Sequence, residues 1–212
     1  MPSGEATLTC GAGADELDGV EVICAETPAE LAAVRAMRHE TYRVRSGIEV
    51  GDSLELDRRS YLFAARDADG TVAACVRVLP LPDPDAGIVA LDHPLATRHG
   101  ADSEVGRLAV REGRSPLLLL ALMGEAAGWL LEHTSLVGYA AYCNQRLVPL
   151  YEQVGARDLG VDARHSMNGR DYRIVAGRLD AVHELAAAML GDGARGIRVR
   201  PPATIDLTTA VR

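Results

Sequence analysis

The sequence predicts one mixed α/β (α+β) domain, in which a largely antiparallel sheet is flanked by helices. Strand-like and helix-like segments alternate along the 212-residue chain, in an order typical of a single layered domain. Two β-rich runs flank the stretch from Asp67 to Gly70, and its Asp-Gly pair favours a hairpin turn. Hydrophobic residues make up 48% of the chain, which is enough to build a packed core.

The first half of the chain gives a strand, a helix and a hairpin. Residues 20–26 alternate weakly between apolar and polar types and predict a strand. Thr27 as N-cap, Pro28 at the first helical position and Glu30 two residues later predict a helix start. Apolar residues then recur at helical spacing, which predicts one buried face. That face consists of Leu31, Val34, Met37, Thr41 and Val44.

The second half predicts two strand-to-helix units, a further strand and a last helix. The boundaries are a strand at 103–110, a helix from 116, a strand at 135–143, a helix at 144–155, a turn at 156–160, a strand at 171–179 and a helix at 181–190. We predict loops at 46–60 and at 81–102, the latter covering a site. Residues 1–19 are expected to form a flexible leader, 20–190 the single domain, and 191–212 a tail or arm.

Composition excludes several classes of function. The net charge of −8 argues against a nucleic-acid partner, because phosphate contacts need clustered positive charge. The most apolar stretch, 116–131, contains Glu125 and is too short to span a bilayer. Four cysteines without a Cys-x-x-Cys spacing predict free thiols, no metal site and a cytoplasmic location.

A basic, glycine-bearing loop precedes the most apolar helix. Arg111, Gly113, Arg114 and Ser115 stand where a helix N-terminus offers unpaired N–H groups and partial positive charge. Such a loop can bind a pyrophosphate or the phosphate of phosphopantetheine. An ordinary connector is the alternative, because most loop glycines serve turns.

The strand and helix that follow this loop favour the phosphate-binding interpretation. Asn144, Pro149, Tyr151 and Gly155 match the pattern N-x-x-x-x-P-x-Y-x-x-x-G, and residues 20–180 resemble the Gcn5-related N-acetyltransferase superfamily. The resemblance implies that the strand before the phosphate loop and the strand ending at residue 143 diverge, so that the donor's pantetheine arm lies between them. It also implies that backbone N–H groups from Leu108 to Val110 face the thioester.

The resemblance implies roles for two further side chains. Tyr151 would donate a proton to the leaving thiolate, and its alternative is a packed helix aromatic. Asn144 would bind a pantetheine amide or cap the helix that follows it.

The phosphate loop departs from the family pattern, because Pro116 has no N–H to donate.

A narrower resemblance is to the acyl-homoserine-lactone synthases and N-acyl amino acid synthases, which take a fatty acyl group from acyl carrier protein. It implies that an acidic loop closes over the amine substrate and that Arg38 and Arg77 hold this loop in place, with a solvated loop as the alternative. The residues that carry this resemblance are Arg38, Tyr42, Glu55, Asp57, Arg77, Glu104 and Arg107.

These features predict an N-acyltransferase that moves an acyl group from acyl carrier protein or acyl-coenzyme A to the primary amine of a small molecule or amino acid. Glu104 could accept the amine proton, or could instead form a structural ion pair with Arg77 or Arg107. Two alternatives stay open: an acetyl-coenzyme A-dependent acetyltransferase, and an inactive module that binds an acyl ligand.

Overall fold

An eight-stranded mixed sheet forms the centre of the protein in this computed structural model, which describes residues 17–47, 54–81, 100–164, 171–191 and 198–200. The strands are β1 (Glu21–Cys24), β2 (Tyr61–Arg66), β3 (Val72–Pro80), β4 (Ser103–Val110), β5 (Gly138–Cys143), β6 (Arg157–Arg164), β7 (Asp171–Arg178) and β8 (Arg198–Arg200). The helices are α1 (Pro28–Ser46), α2 (Leu54–Arg58), α3 (Pro116–His133), α4 (Val148–Gln153) and α5 (Leu179–Leu190).

The strand order across the sheet is β6-β7-β5-β4-β3-β2-β1-β8. Neighbouring strands pair antiparallel except for two parallel pairs, β4 with β5 and β1 with β8. The predicted mixed and largely antiparallel sheet is therefore confirmed.

Helix α1 begins as its sequence predicts. The Thr27 hydroxyl accepts the Glu30 N–H at 3.2 Å, and the Glu30 carboxylate accepts the Thr27 N–H at 3.1 Å. This reciprocal capping satisfies two N–H groups that the helix leaves unpaired. Val34 and Met37 are buried, but Val44 is 62% exposed, so the predicted apolar face ends before the last turn.

The hairpin at Asp67–Gly70 is confirmed, because the Asp67 N–H bonds to the Thr71 carbonyl at 2.9 Å. The sequence analysis was wrong at three other places. It missed helix α2 inside the predicted loop at 46–60, and it placed a turn where β6 begins at Arg157. It also read residues 144–155 as one helix, whereas a 3-10 turn at Gln145–Leu147 precedes α4.

Both ends of the described chain join the domain. Leu17, assigned from the sequence to the leader, is 1% exposed and belongs to the core. Strand β8, assigned to the tail, pairs with β1 in parallel from Glu21 to Ile23. Residues 1–16 and 201–212, and most of the predicted loop at 81–102, lie outside the described residues.

Helices cover both faces of the sheet. Phe63 packs on the side of α3 and α5, and the adjacent Leu62 packs on the side of α1, as the alternation of a strand requires. Among the described helices, none is both long and apolar enough to cross a membrane.

Close packing holds α3 against α5. A Cβ atom placed on Gly124 would lie 2.3 Å from the Ala186 Cβ, and one placed on Gly128 would lie 2.7 Å from the His183 ring. The His183 Nδ1 atom also lies 3.0 Å from the Gly124 carbonyl oxygen. Glycine at these positions therefore sets the distance between the two helices.

We expect Gly124→Ala to lower the free energy of unfolding by about 1–3 kcal/mol, because the added methyl group overpacks the helix contact. The double variant Gly124→Ala/Ala186→Gly moves the methyl group to the other helix and should regain most of the loss. Urea denaturation measures both. Equal instability of the single and double variants would contradict this explanation.

Candidate active site

A bulge bends strand β4 away from β5. Cys75 and Arg77 of β3 face Ala109 and Gly106 of β4, so one residue of β3 lies opposite two residues of β4. Arg107, inside the bulge, has a φ of 56°, which is unfavourable for a residue with a side chain. Bulges of this kind increase local twist and redirect the strand.

The bulge opens a gap in the sheet. Strands β4 and β5 pair only at Glu104 with Ala140 and at Val105 with Ala141. Beyond these pairs β4 continues to Val110 and β5 to Cys143 without ladder contacts between them. The predicted divergence of these two strands is confirmed.

Tyr151 of α4 lies beside this gap. Its side chain is 7% exposed and lines an apolar cleft together with Leu108 of the bulge. Burial, and secondarily the nearby Cys143 thiol, raise the pKa of Tyr151 well above its usual value. The phenol therefore stays protonated at neutral pH.

Tyr42 of α1 fixes the bulge from the opposite side. Its hydroxyl donates a hydrogen bond to the Leu108 carbonyl at 2.9 Å. The Cys75 thiol lies 3.7 Å from the Arg107 carbonyl, and burial raises its pKa to about 12, so it remains a neutral thiol. Contacts from α1 and β3 thus hold two successive carbonyl groups of the bulge.

Four buried charged side chains form a chain from α1 to β4. Arg38 donates two hydrogen bonds to Asp57, at 2.6 and 3.2 Å. Asp57 also lies 3.8 Å from Arg77, and Arg77 lies 3.3 Å from Glu104. None of these four side chains is more than 3% exposed, so the site brings together residues far apart in sequence.

The pKa values reflect this pairing. Burial favours the neutral form of Asp57, but hydrogen bonds and charge from Arg38 outweigh it and hold the pKa of Asp57 below its usual value. Burial lowers the pKa of Arg77, opposed mainly by the charge of Glu104. Arg35 adds a further bond to Asp57 at 3.2 Å, so this carboxylate is central to the cluster.

Arg107 adds positive charge to the same region. Its proximity further lowers the pKa of Arg77, after burial, and it opposes the upward shift that burial gives the pKa of Tyr142. The Arg107 Nε atom is buried and has no hydrogen-bond partner within the described part of the chain. Among the described side chains, four arginines here face two carboxylates: Arg35, Arg38, Arg77 and Arg107, with Asp57 and Glu104.

In the predicted phosphate loop, both arginines contact other groups of the protein. Arg114 forms an ion pair with Asp67, and the Arg111 Nε atom donates to the Val72 carbonyl at 3.3 Å. Ser115 caps α3 by accepting the Leu117 N–H at 3.2 Å, and Gly113 has a φ of 78°. Because Pro116 has no N–H, the helix start offers fewer donors to a phosphate than an ordinary N-terminus.

Two further residues predicted from the sequence are Asn144 and Glu55. The exposed Asn144 accepts the Arg146 N–H at 3.0 Å, so the capping role is present and its amide NH₂ group is the part that could meet a ligand. Glu55 lies in α2, but its side chain is outside the described residues. No group of three or more potential metal ligands occurs in the described residues.

The sequence analysis missed the residues that line the apolar cleft. Pro116, Leu119, Leu120 and Met123 follow one another at helical spacing on α3. That spacing could have identified a single face of the helix, but it could not distinguish a cleft wall from packed core. The analysis also missed Tyr142 of β5, whose ring meets Tyr172 edge-on at a centroid distance of 5.3 Å.

Solved structures share this architecture. The N-acyl amino acid synthase FeeM, from uncultured soil microbes, matches with a TM-score of 0.63 and 15% identity, over 78% of this chain and 94% of FeeM. The chain has the Gcn5-related N-acetyltransferase fold. The coenzyme A-dependent acyl-homoserine lactone synthase BjaI matches with a TM-score of 0.61 and 18% identity, over 91% of this chain and 98% of BjaI.

A third solved structure is also similar to this chain. A putative N-acetyltransferase from Lactobacillus plantarum matches with a TM-score of 0.59 and 17% identity, over 76% of this chain and 99% of that protein. No protein-family model and no curated protein sequence matches the chain.

We expect Asp57→Asn to lower the free energy of unfolding at pH 7 by about 3–5 kcal/mol, because it leaves buried arginines without their carboxylate. The folded pKa of Asp57 lies below its unfolded value of about 3.9, so its stabilising effect is present above that value and is lost as the pH falls. The deficit of the variant should therefore shrink below about pH 4. Denaturation at several pH values measures this.

Asp18→Asn is the matched control, since Asp18 is exposed. It should change the free energy of unfolding by less than about 0.5 kcal/mol. A deficit for Asp57→Asn that stays constant from pH 7 to pH 3 would contradict the assigned role of the charge.

Proposed function

We propose that the protein is an N-acyltransferase that transfers an acyl group from a phosphopantetheine thioester to the primary amine of a small molecule that also carries a carboxylate, such as an amino acid. The single observation that supports it best is the gap between β4 and β5 with Tyr151 at its side. A thioester lying in that gap has strand N–H groups on one side and a phenol on the other. The similarity of the fold to FeeM and BjaI supports the same proposal.

The reaction forms a C–N bond and breaks a C–S bond. The amine attacks the thioester carbonyl carbon, and N–H groups from Leu108 to Val110 stabilise the oxyanion. The amine gives its proton to Glu104, directly or through one water, and Tyr151 protonates the departing thiolate. The alternative for Glu104 is structural, since its carboxylate is fully buried and paired with Arg77.

Arg107 is the residue that supports a carboxylate on the acceptor substrate. Its buried Nε atom has no partner in the described residues, and the arginines described in this cluster outnumber the described carboxylates. A substrate carboxylate would supply the missing acceptor and balance the charge. The remaining residues of the cluster, including Arg38, Tyr42, Asp57 and Arg77, then position Arg107 and the bulge; Glu55 belongs to the same proposed substrate site.

The donor is acyl carrier protein or acyl-coenzyme A. Both loop arginines already contact groups of the protein and Pro116 has no N–H, so we expect the loop to bind the donor's phosphate only weakly. Binding of the donor then depends on the apolar cleft and, for a carrier protein, on contacts between the two proteins. Arg111, Gly113, Arg114, Ser115 and Asn144 make up the proposed phosphate and pantetheine contacts. The three described cysteines are free thiols, which supports a cytoplasmic location.

A panel of donors and acceptors tests this proposal. Thiol release from acyl-coenzyme A and acyl carrier protein donors of several chain lengths is measured with amino acids and with the amines left by their decarboxylation. Turnover of acetyl-coenzyme A alone would favour the acetyltransferase alternative. Absence of turnover, with stabilisation of the fold by acyl ligands, would favour the inactive binding module.

We expect Tyr151→Phe to lower kcat by about 10²-fold, because the leaving thiolate loses its proton donor. KM for the donor should change little, since the ring that lines the cleft is retained. Steady-state kinetics measures both. Tyr61→Phe, which removes a buried hydroxyl beside Trp129, is the control, and an unchanged kcat in Tyr151→Phe would remove Tyr151 from the mechanism.

We expect Arg107→Asn to reduce the preference for an amino acid over its decarboxylated amine by about 10- to 100-fold, the range of a charged hydrogen bond. Asparagine tolerates the positive φ at this position, so the bulge should persist. The ratio of kcat/KM values for the two acceptors measures the effect. The exposed Arg43→Asn is the control, and an unaltered ratio in Arg107→Asn would exclude carboxylate recognition by Arg107.

A further inference from the structure

Two apolar cavities meet at one residue of α3. The outer cleft, about 540 Å³ including space open to solvent, lies between α3, α4 and α5 and reaches Leu108 and Tyr151. The inner cavity is small, about 20 Å³, and lies between α3, α5 and strands β3, β4 and β5. Met123 is the residue that lines both.

One face of α3 runs from the outer cleft into the inner cavity. Pro116, Leu119 and Leu120 line the cleft, and Ala126, Ala127 and Leu130 line the cavity, with Met123 between the two groups. These positions follow the three- and four-residue spacing that keeps side chains on one helix face. The helix between Met123 and Leu130 covers roughly 10 Å, the extended length of an apolar chain of medium length. The small inner cavity must widen to hold such a chain.

The inner cavity differs from packed core in two ways. The contacts of Gly124 and Gly128 with α5 bring the two helices together, yet space remains between these helices and the sheet. In addition, Tyr139 lines the cavity, and its buried hydroxyl has no hydrogen-bond partner within the described part of the chain. Protein cores seldom keep both a void and an unpaired hydroxyl.

We propose that Met123 sets the length of acyl chain that the enzyme accepts: the pantetheine arm lies in the outer cleft, and the chain passes the Met123 side chain into the inner cavity. This inference rests on the proposed function. Short acyl groups do not need to pass Met123. Longer chains must pass it, and the flexible thioether of methionine can move aside for them.

The experiment compares wild type, Met123→Phe and Met123→Ala with donors from two to twelve carbons. Met123→Phe should lower kcat/KM for the longest accepted chains by about tenfold or more, the range for blocked methylene groups in an apolar pocket. Any loss with acetyl and butyryl donors, which would reflect the pantetheine arm alone, should be smaller than the loss with the longest chains by about that factor. Met123→Ala should shift the preferred length upward.

Met189→Phe is the matched control, because Met189 lines the outer cleft and not the inner cavity. Its effect should be the same for every chain length. The same dependence on chain length in wild type and Met123→Phe would overturn the inference. Thermal unfolding of each variant verifies that it is folded.

A second measurement separates this inference from the proposed function. Unreactive S-alkyl phosphopantetheine thioethers of the same lengths should raise the Tm of wild type in proportion to chain length, and Met123→Phe should lose the increment for long chains. If wild type turned over no donor but kept this pattern of binding, acyl transfer would be refuted and the role of Met123 retained. An equal rise in Tm for all lengths in both proteins would refute the role of Met123.

Discussion

The bulge at Arg107 is the constraint on which the rest of the site depends. A regular β4 would continue its ladder with β5, and the sheet would close over its full length. The extra residue interrupts that ladder after two pairs and requires Arg107 to adopt a positive φ. Such strain persists only where surrounding contacts fix it, and the hydrogen bond from Tyr42 to the Leu108 carbonyl is one such contact.

The buried charges also fix this strand from the side of α1, which carries both Tyr42 and Arg38. Removing ionised groups from water is unfavourable, and hydrophobic residues of similar size would often give equal or greater stability. The pairing of Arg38, Asp57, Arg77 and Glu104 instead ties α1, α2 and β3 to the residues just before the bulge. This pairing therefore fixes the position of β4 and Arg107. Salt should weaken the pairing little, because water is excluded from these side chains.

Local signals predicted the fold well where one segment decides the outcome. The capping residues Thr27 and Glu30 placed the start of α1, and the Asp-Gly turn placed the hairpin. The parallel pairing of β1 with β8 and the strand β6 depend on partners distant in sequence, so periodicity could not reveal them. Within the site, resemblance drew attention to Arg77 and Glu104, but only the three-dimensional packing disclosed that they form one chain with Arg38 and Asp57.

The pairing of β1 with β8 also bears on how the protein is made. Strand β1 leaves the ribosome long before β8, because nearly all of the described fold lies between them in sequence. Until then the outer edge of β1 has unpaired backbone groups that could recruit another polypeptide. The nascent chain therefore carries an aggregation-prone edge until the short strand β8 has emerged and paired with it.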